Sequence, residues 1–216
     1  MPCTSIPRGL QEIAVAEGAL AIVVGPSHRG PLGRLVQGSV GERLLRSAPC
    51  PIVVAAGGCR HDAHAPIARI GVGYIPTPEG DEALRAGTGL AACSGAEVRV
   101  LNVVEAPAVG WRTGSLDSTA REQLATHIAD VTAGAGAQIK IAGEVVDGYA
   151  DDELARLSGE VDLLVCGSSS RRAVGGVVAA GVAAGILRKG RCPLLMVPRG
   201  ARDGFAALRV PAEASV

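Results

Sequence analysis

Surplus charge of either sign is missing: 21 lysines and arginines stand against 21 aspartates and glutamates in 216 residues, a formal net charge of zero. That balance leaves no electrostatic case for nucleic acid or an anionic membrane as a partner. Lysine is scarce, with only Lys140 and Lys189 present. Neither follows a glycine-rich loop, which excludes a Walker-type phosphate loop. No Cys-x-x-Cys pair occurs among the six cysteines, at positions 3, 50, 59, 93, 166 and 192. Four of them sit in or beside apolar segments, where a free thiol behaves as a small hydrophobe, so a reduced cytoplasm is the expected compartment. Residues 1–7 have neither the basic nor the apolar region of a signal peptide. The longest weakly polar stretch, 173–187, is about fifteen residues, too short to span a bilayer. Its Gly181-x3-Gly185 spacing reads more simply as close helix-to-sheet packing than as a membrane dimer face.

Catalytic arrangements are missing too. Gly167-Ser168-Ser169-Ser170-Arg171 lacks the second glycine of a nucleophile elbow. His28 and His127 lie in unrelated segments, and no paired carboxylates converge. Asp147, Asp151, Asp152 and Glu153 mark a turn and a helix N-terminus, where acidic residues favour the dipole. Cys59, His61, Asp62 and His64 crowd together, yet no partner pair stands at zinc-finger spacing and glycines surround them. A solvated linker is expected there, not a metal site.

What is present is a repeat. Laid over itself, the sequence puts Gly167 on Gly25, Ser169 on Ser27, Arg171 on Arg29, Gly175 on Gly33, Val182 on Val40, Arg188 on Arg46 and Cys192-Pro193 on Cys50-Pro51, without a gap. Each copy reads as an apolar strand (21–24, 163–166), a polar loop opening with glycine, a small-residue helix, then Cys-Pro and a second apolar strand. Short apolar runs bounded by glycine suit strands buried on both faces, the parallel-sheet pattern. In such sheets the ligand crevice lies beyond the carboxyl ends of the strands. A glycine-opened loop there, followed by a helix N-terminus and a serine hydroxyl at Ser39, is built like a phosphate cradle.

Between and after the copies the chain divides by composition into 1–58, the C-terminal portion of a first domain; 59–66, a linker; 67–200, a complete domain; and 201–216, a loose tail. Residues 8–18 have helical spacing through Leu10, Ile13 and Ala14. In the complete domain, strands are predicted at 69–74, 97–104, 141–146, 163–166 and 194–197. Helices are predicted after Thr77-Pro78-Glu79, near 118–133, from Asp151, and after the second glycine loop. Five parallel strands with helices on both faces make a doubly wound α/β fold.

Val24-Gly25-x2-His28-x9-Gly38-Ser39-Val40, with the later run 50–54 opening on Cys50-Pro51, resembles the universal stress protein family and its Gly-x2-Gly-x9-Gly-(Ser/Thr) signature. The resemblance covers about 8–56 and 67–200. It implies an adenine nucleotide alpha hydrolase-like fold, a stress-response role and, in some members, ATP held at the strand ends with its magnesium. By that resemblance the cofactor positions are Gly73, Tyr74, Ile75, Val103, Cys166, Gly167, Ser169, Ser170, Arg171, Ala180, Gly181 and Val182, with Gly25, His28, Gly38 and Ser39 in the first copy.

Departures are specific. His28 replaces the second glycine; Ser170, Ala180 and Gly181 replace three signature positions in the second copy; and Ile75 stands where the family's nucleotide-holding aspartate belongs. The serines at 168–170 are possible substitute donors, and Arg171 with Arg172 could pair with phosphate oxygens. By the family pattern, the first copy also lacks about a hundred residues before Gly25 and is expected to be truncated. The resemblance further implies antiparallel pairing through the last strands, 51–55 and 193–197, either between domains or between two chains. The expectation is a non-catalytic stress-response module that binds ATP, or else a nucleotide-free interaction module with a degenerate site. A weak ATPase is the remaining alternative.

Overall fold

The computed structural model describes residues 5–25, 44, 48–55, 65–104, 118–133, 139–168 and 178–198. Helix α1 (Ile6–Ala16) starts with Pro7 in its first turn, where a missing N–H costs nothing, and ends ahead of Gly18, whose φ of 60° suits glycine. Strands β1 (Ile22–Val24) and β2 (Ile52–Val54) follow. Beyond 65 come β3 (Arg69–Gly73), α2 (Pro78–Ser94), β4 (Glu97–Val104), α3 (Ser118–Thr132), β5 (Ile141–Asp147), α4 (Ala150–Leu157), β6 (Leu163–Gly167), α5 (Val178–Lys189) and β7 (Leu194–Val197). Thr77 caps α2 by accepting from the Gly80 amide at 3.2 Å, and Gly95 at φ 72° closes it.

The seven strands among the described residues form one sheet in the order β1-β2-β7-β6-β3-β4-β5. The five strands from the 67–200 region run parallel in the doubly wound order expected, so the α/β class holds. The sheet is nevertheless wider than five strands, because β1 and β2 extend it. Ile52 lies opposite Met196, Val53 opposite Leu195 and Val54 opposite Leu194, with β2 antiparallel to β7. Ile52 and Val54 are each 1% exposed and Leu194 is wholly buried, so the junction belongs to the core.

The strand alternation sends side chains to two apolar layers. One face gathers Ile52, Val54, Leu101, Leu164, Cys166, Leu194 and Met196 beneath Ala14 of α1, Leu154 and Leu157 of α4, and Ala183, Ile186 and Leu187 of α5. The other gathers Ile70, Val72, Val98, Val100, Val165, Leu195 and Val197 beneath α2 and α3. Each fully buried aliphatic side chain of this kind contributes about 1.5–3 kcal/mol. Where β3 begins, the buried Asp162 accepts from the amides of Ala68 (2.9 Å) and Arg69 (2.8 Å), fastening the strand to the approach of β6.

Candidate functional site

The chain leaves β3 for β4 and β5 on one side and returns to β6 and β7 on the other, so the topological switch lies between β3 and β6. A crevice beyond their carboxyl ends is where a doubly wound sheet places its ligand. Gly73 closes β3 with Cys166 and Leu101 beside it in register. A methyl group at Gly73 would lie 2.9 Å from the Cys166 sulfur and 2.9 Å from Leu154, so a side chain there would have to push those neighbours aside. Gly167, at the end of β6, abuts the carbonyl of Glu79 in the first turn of α2, again without room for a side chain.

Cys166 is buried, and desolvation pushes its thiol up to about 12. It is a neutral packing group at physiological pH, not a nucleophile. Val103 and Val182 are half-buried against the apolar layer beneath α4 and α5. Ala180 and Gly181 stand in the first turn of α5.

Tyr74 turns inward. Its ring is 2% exposed, its hydroxyl donates to Asp81 Oδ1 at 2.9 Å, its amide donates to the Leu101 carbonyl, and its own carbonyl accepts from Asn102 Nδ2 at 2.9 Å. Burial first, and the Asp81 carboxylate second, hold the phenol well above its ordinary range. His127 on α3 completes the group, with Nε2 3.6 Å from Asp81 Oδ1 and ring centroids 6.1 Å from Tyr74. Ile75 makes the turn into α2: its carbonyl accepts from the Thr77 amide at 2.8 Å and presses on Gly80, where a side chain would collide.

The structure thus brings together Gly73, Tyr74, Ile75, Val103, Cys166 and Gly167 at one end of the sheet. It does not bring Gly25 to them. Because β2 is antiparallel to β7, β1 runs opposite to β6, and Gly25 leaves the sheet at its other end. His28, Gly38, Ser39, Ser169, Ser170 and Arg171, with Arg172 and the linker ligand candidates, lie outside the described residues. Among the described residues no cluster of three metal-ligating side chains occurs, and no helix is long and apolar enough to cross a membrane.

Asn102, Asp81 and His127 were not singled out from sequence. Asn102 left a signal, a polar residue at the end of an otherwise apolar run in β4. His127 stood in the sequence only as a histidine in a segment unrelated to that of His28. As a holder of the adenine and ribose of a nucleotide, this end of the crevice does not fit. The Ile75 side chain offers no acceptor, and Thr77, Asn102 and Tyr74 are bonded within the protein.

Comparison with known proteins agrees with this fold. The profile of the universal stress protein family matches residues 4–56 and 66–198, and the chain belongs to that family. A universal stress protein of Mycobacterium tuberculosis strain H37Rv is 26% identical over 196 residues, 85% of this chain and 63% of that protein. The chain therefore spans less than two thirds of the length of the curated relatives it matches. Two solved structures share the fold. A universal stress protein from Archaeoglobus fulgidus has TM-score 0.62 and 18% identity over 88% of this chain and 64% of its own. A functionally unknown protein from Pseudomonas aeruginosa has TM-score 0.61 and 16% identity over 95% and 71%.

Proposed function

We propose that the chain is a non-catalytic stress-response module whose β3–β6 crevice serves protein architecture and does not hold ATP. Family membership supports the stress-response part of this reading. The observation that carries the rest is the exit of β3, where Ile75 replaces a carboxylate and neighbouring polar groups are turned onto the protein's own backbone and helices. A buried site lacking one hydrogen-bonding partner discriminates strongly against a ligand that needs it. Cys166, the thiol among the described residues there, stays protonated and is no nucleophile.

ATP binding through the loop after Gly167 is the competing reading. It is favoured by the exit of β6 at the switch point, where such sheets admit phosphates. The test is to denature freshly purified protein, chromatograph the released small molecules for adenine nucleotide, and titrate the apo protein calorimetrically with magnesium ATP. Neither nucleotide nor binding heat is expected. Either one would overturn the nucleotide-free reading, and ATP turnover would overturn the non-catalytic one. Ile75→Asp with Gly181→Ser then asks whether the crevice survives, a gain in ATP affinity showing that it does.

A further inference from the structure

We propose that the cavity between α3 and β5 binds a small anionic amphiphile, a medium-chain carboxylate, whose head group Arg121 holds and whose alkyl chain lies along Leu124, Ile128 and Val145. The cavity has a volume of about 480 Å³. That is the size of a small-molecule site and far above the water-sized voids that packed interiors leave. It lies against β5, two strands beyond β3, and shares no residue with the β3–β6 crevice.

Its walls follow from two periodicities. Arg121, Leu124, Ala125 and Ile128 recur at three- and four-residue spacing, so they share one face of α3, and all four line the cavity. On β5, Ile141, Gly143 and Val145 alternate onto the α3 side, where Ile141 and Val145 join the apolar layer beneath α2 and α3. Strands β4 and β5 are parallel, so α3 returns antiparallel to them and sets Arg121 toward the Val145 end and Ile128 toward the Ile141 end. A methyl at Gly143 would lie 2.7 Å from Ile128 and 3.7 Å from Leu124, so the bare strand there lets these two side chains descend and form the apolar wall. Leu124, Ile128 and Val145 are buried, whereas Arg121 is exposed at the mouth.

Charge selects the occupant. Glu144 also borders the cavity, but strand alternation turns its side chain to the opposite face of the sheet. There Glu153 first, then Glu160 and Glu144, hold the Arg156 guanidinium of α4 in its charged form. Arg121 is the charged side chain left on the cavity side. Arg99 and Arg156 are paired with Glu160 and Glu153, whereas among the described residues no carboxylate pairs with Arg121. A guanidinium beside an apolar wall suits a ligand with a carboxylate at one end, which accepts two parallel hydrogen bonds, and methylene groups along the rest. A cationic amphiphile is repelled there, and a neutral one lacks the charged contact. From Arg121 to Ile128 the helix rises about 10 Å, the reach of a medium-length alkyl chain.

The test is calorimetric titration of the full chain with octanoate, 1-octanol and octyltrimethylammonium, with methyl NMR shifts read at Leu124 and Ile128. Octanoate is expected to saturate one site per chain about tenfold more tightly than octanol, to shift both methyl groups, and the cation is expected not to bind. Arg121→Gln should bring octanoate down to the level of octanol. Ala125→Leu, which fills the cavity from an exposed helix position, should abolish both while far-UV dichroism stays unchanged. Absence of saturable octanoate binding at millimolar ligand would overturn the proposal. Equal affinity for octanoate and octanol in the parent would as well, by removing the role of Arg121. Binding that survives Ala125→Leu would overturn it too, by placing the ligand elsewhere. Should Ala125→Leu unfold the chain, Arg121→Gln decides alone: an octanoate preference that persists in it overturns the site.

Discussion

Tyr74 and Asp81 are joined by a 2.9 Å hydrogen bond that ties the end of β3 to the first turn of α2. It brings a wholly buried phenol to a partly buried carboxylate, with His127 of α3 on the other flank. Three elements therefore share one polar contact inside an otherwise apolar layer. In the low dielectric there, a satisfied polar group specifies a unique packing and an orphaned one is costly.

Tyr74→Phe is expected to lower stability by about 1–2 kcal/mol, because it leaves Asp81 without its donor at little change in volume. A urea or thermal melt at pH 7 reads this. The pH dependence follows from the raised phenol. A folded-state value above the unfolded one gives stability that is fully present below about pH 10. That stability is lost as pH climbs from there toward the folded value. The native protein should show this alkaline loss, and Tyr74→Phe should lack it.

Gly167→Ala should destabilise by about 1–3 kcal/mol, since the methyl has only the Glu79 carbonyl to displace and backbone gives poorly. Gly25→Ala should be neutral within about 0.5 kcal/mol, or slightly stabilising, because nothing lies within 4 Å of its new methyl. Paired melts of the two variants decide it. Equal effects would mean that α2 does not press on β6.

Alkylation of the native protein at pH 8, read by peptide mass spectrometry, should label Cys93 and spare Cys50, Cys166 and Cys192. Cys93 is exposed, whereas the other three are buried, and burial raises the Cys50 and Cys166 thiols. Label on Cys166 without denaturant would show that the β3–β6 crevice opens.

Lys189 bridges α5 to the start of α4, with Nζ 2.7 Å from Asp151 and 2.5 Å from Asp152. The Lys189 hydrogen bond holds the Asp151 carboxyl below its ordinary value. That contribution is present above the unfolded carboxylate value, near pH 3.9, and is lost as pH falls through the folded one. Lys189→Ala should therefore lower the melting temperature at pH 7 and converge with the parent in strong acid. The difference should shrink with added salt, as exposed ion pairs are screened. A salt-independent difference would point to packing of the lysine stem instead.

Much of this was legible before any coordinates. The runs at 163–167 and 194–197 are apolar without alternation, and both strands are buried on both faces. Thr77-Pro78 announced the start of α2, and Thr77 does cap it. The site was less legible, because its polar contacts join residues far apart in the chain. Asn102 reaches back to Tyr74, and His127 reaches Asp81 from another helix; no local spacing encodes either. Gly73 and Gly167 look like ligand-approach glycines in sequence, and only their neighbours show that the space is already filled, by the side chains of Cys166 and Leu154 at Gly73 and by the Glu79 backbone at Gly167.

By itself, the sequence determined the α/β class, the repeat, the strand and helix order and the loss of a carboxylate at Ile75, because periodicity, caps and residue identity are properties of adjacent positions. Tertiary structure decided the rest. It joined β2 to β7 in one seven-stranded sheet, sent Gly25 to the far end from Gly167, and left Val23 bare where Val165 is covered. Two positions of nearly the same local sequence differ that much because burial is conferred by whichever strand and helix come to lie beside them.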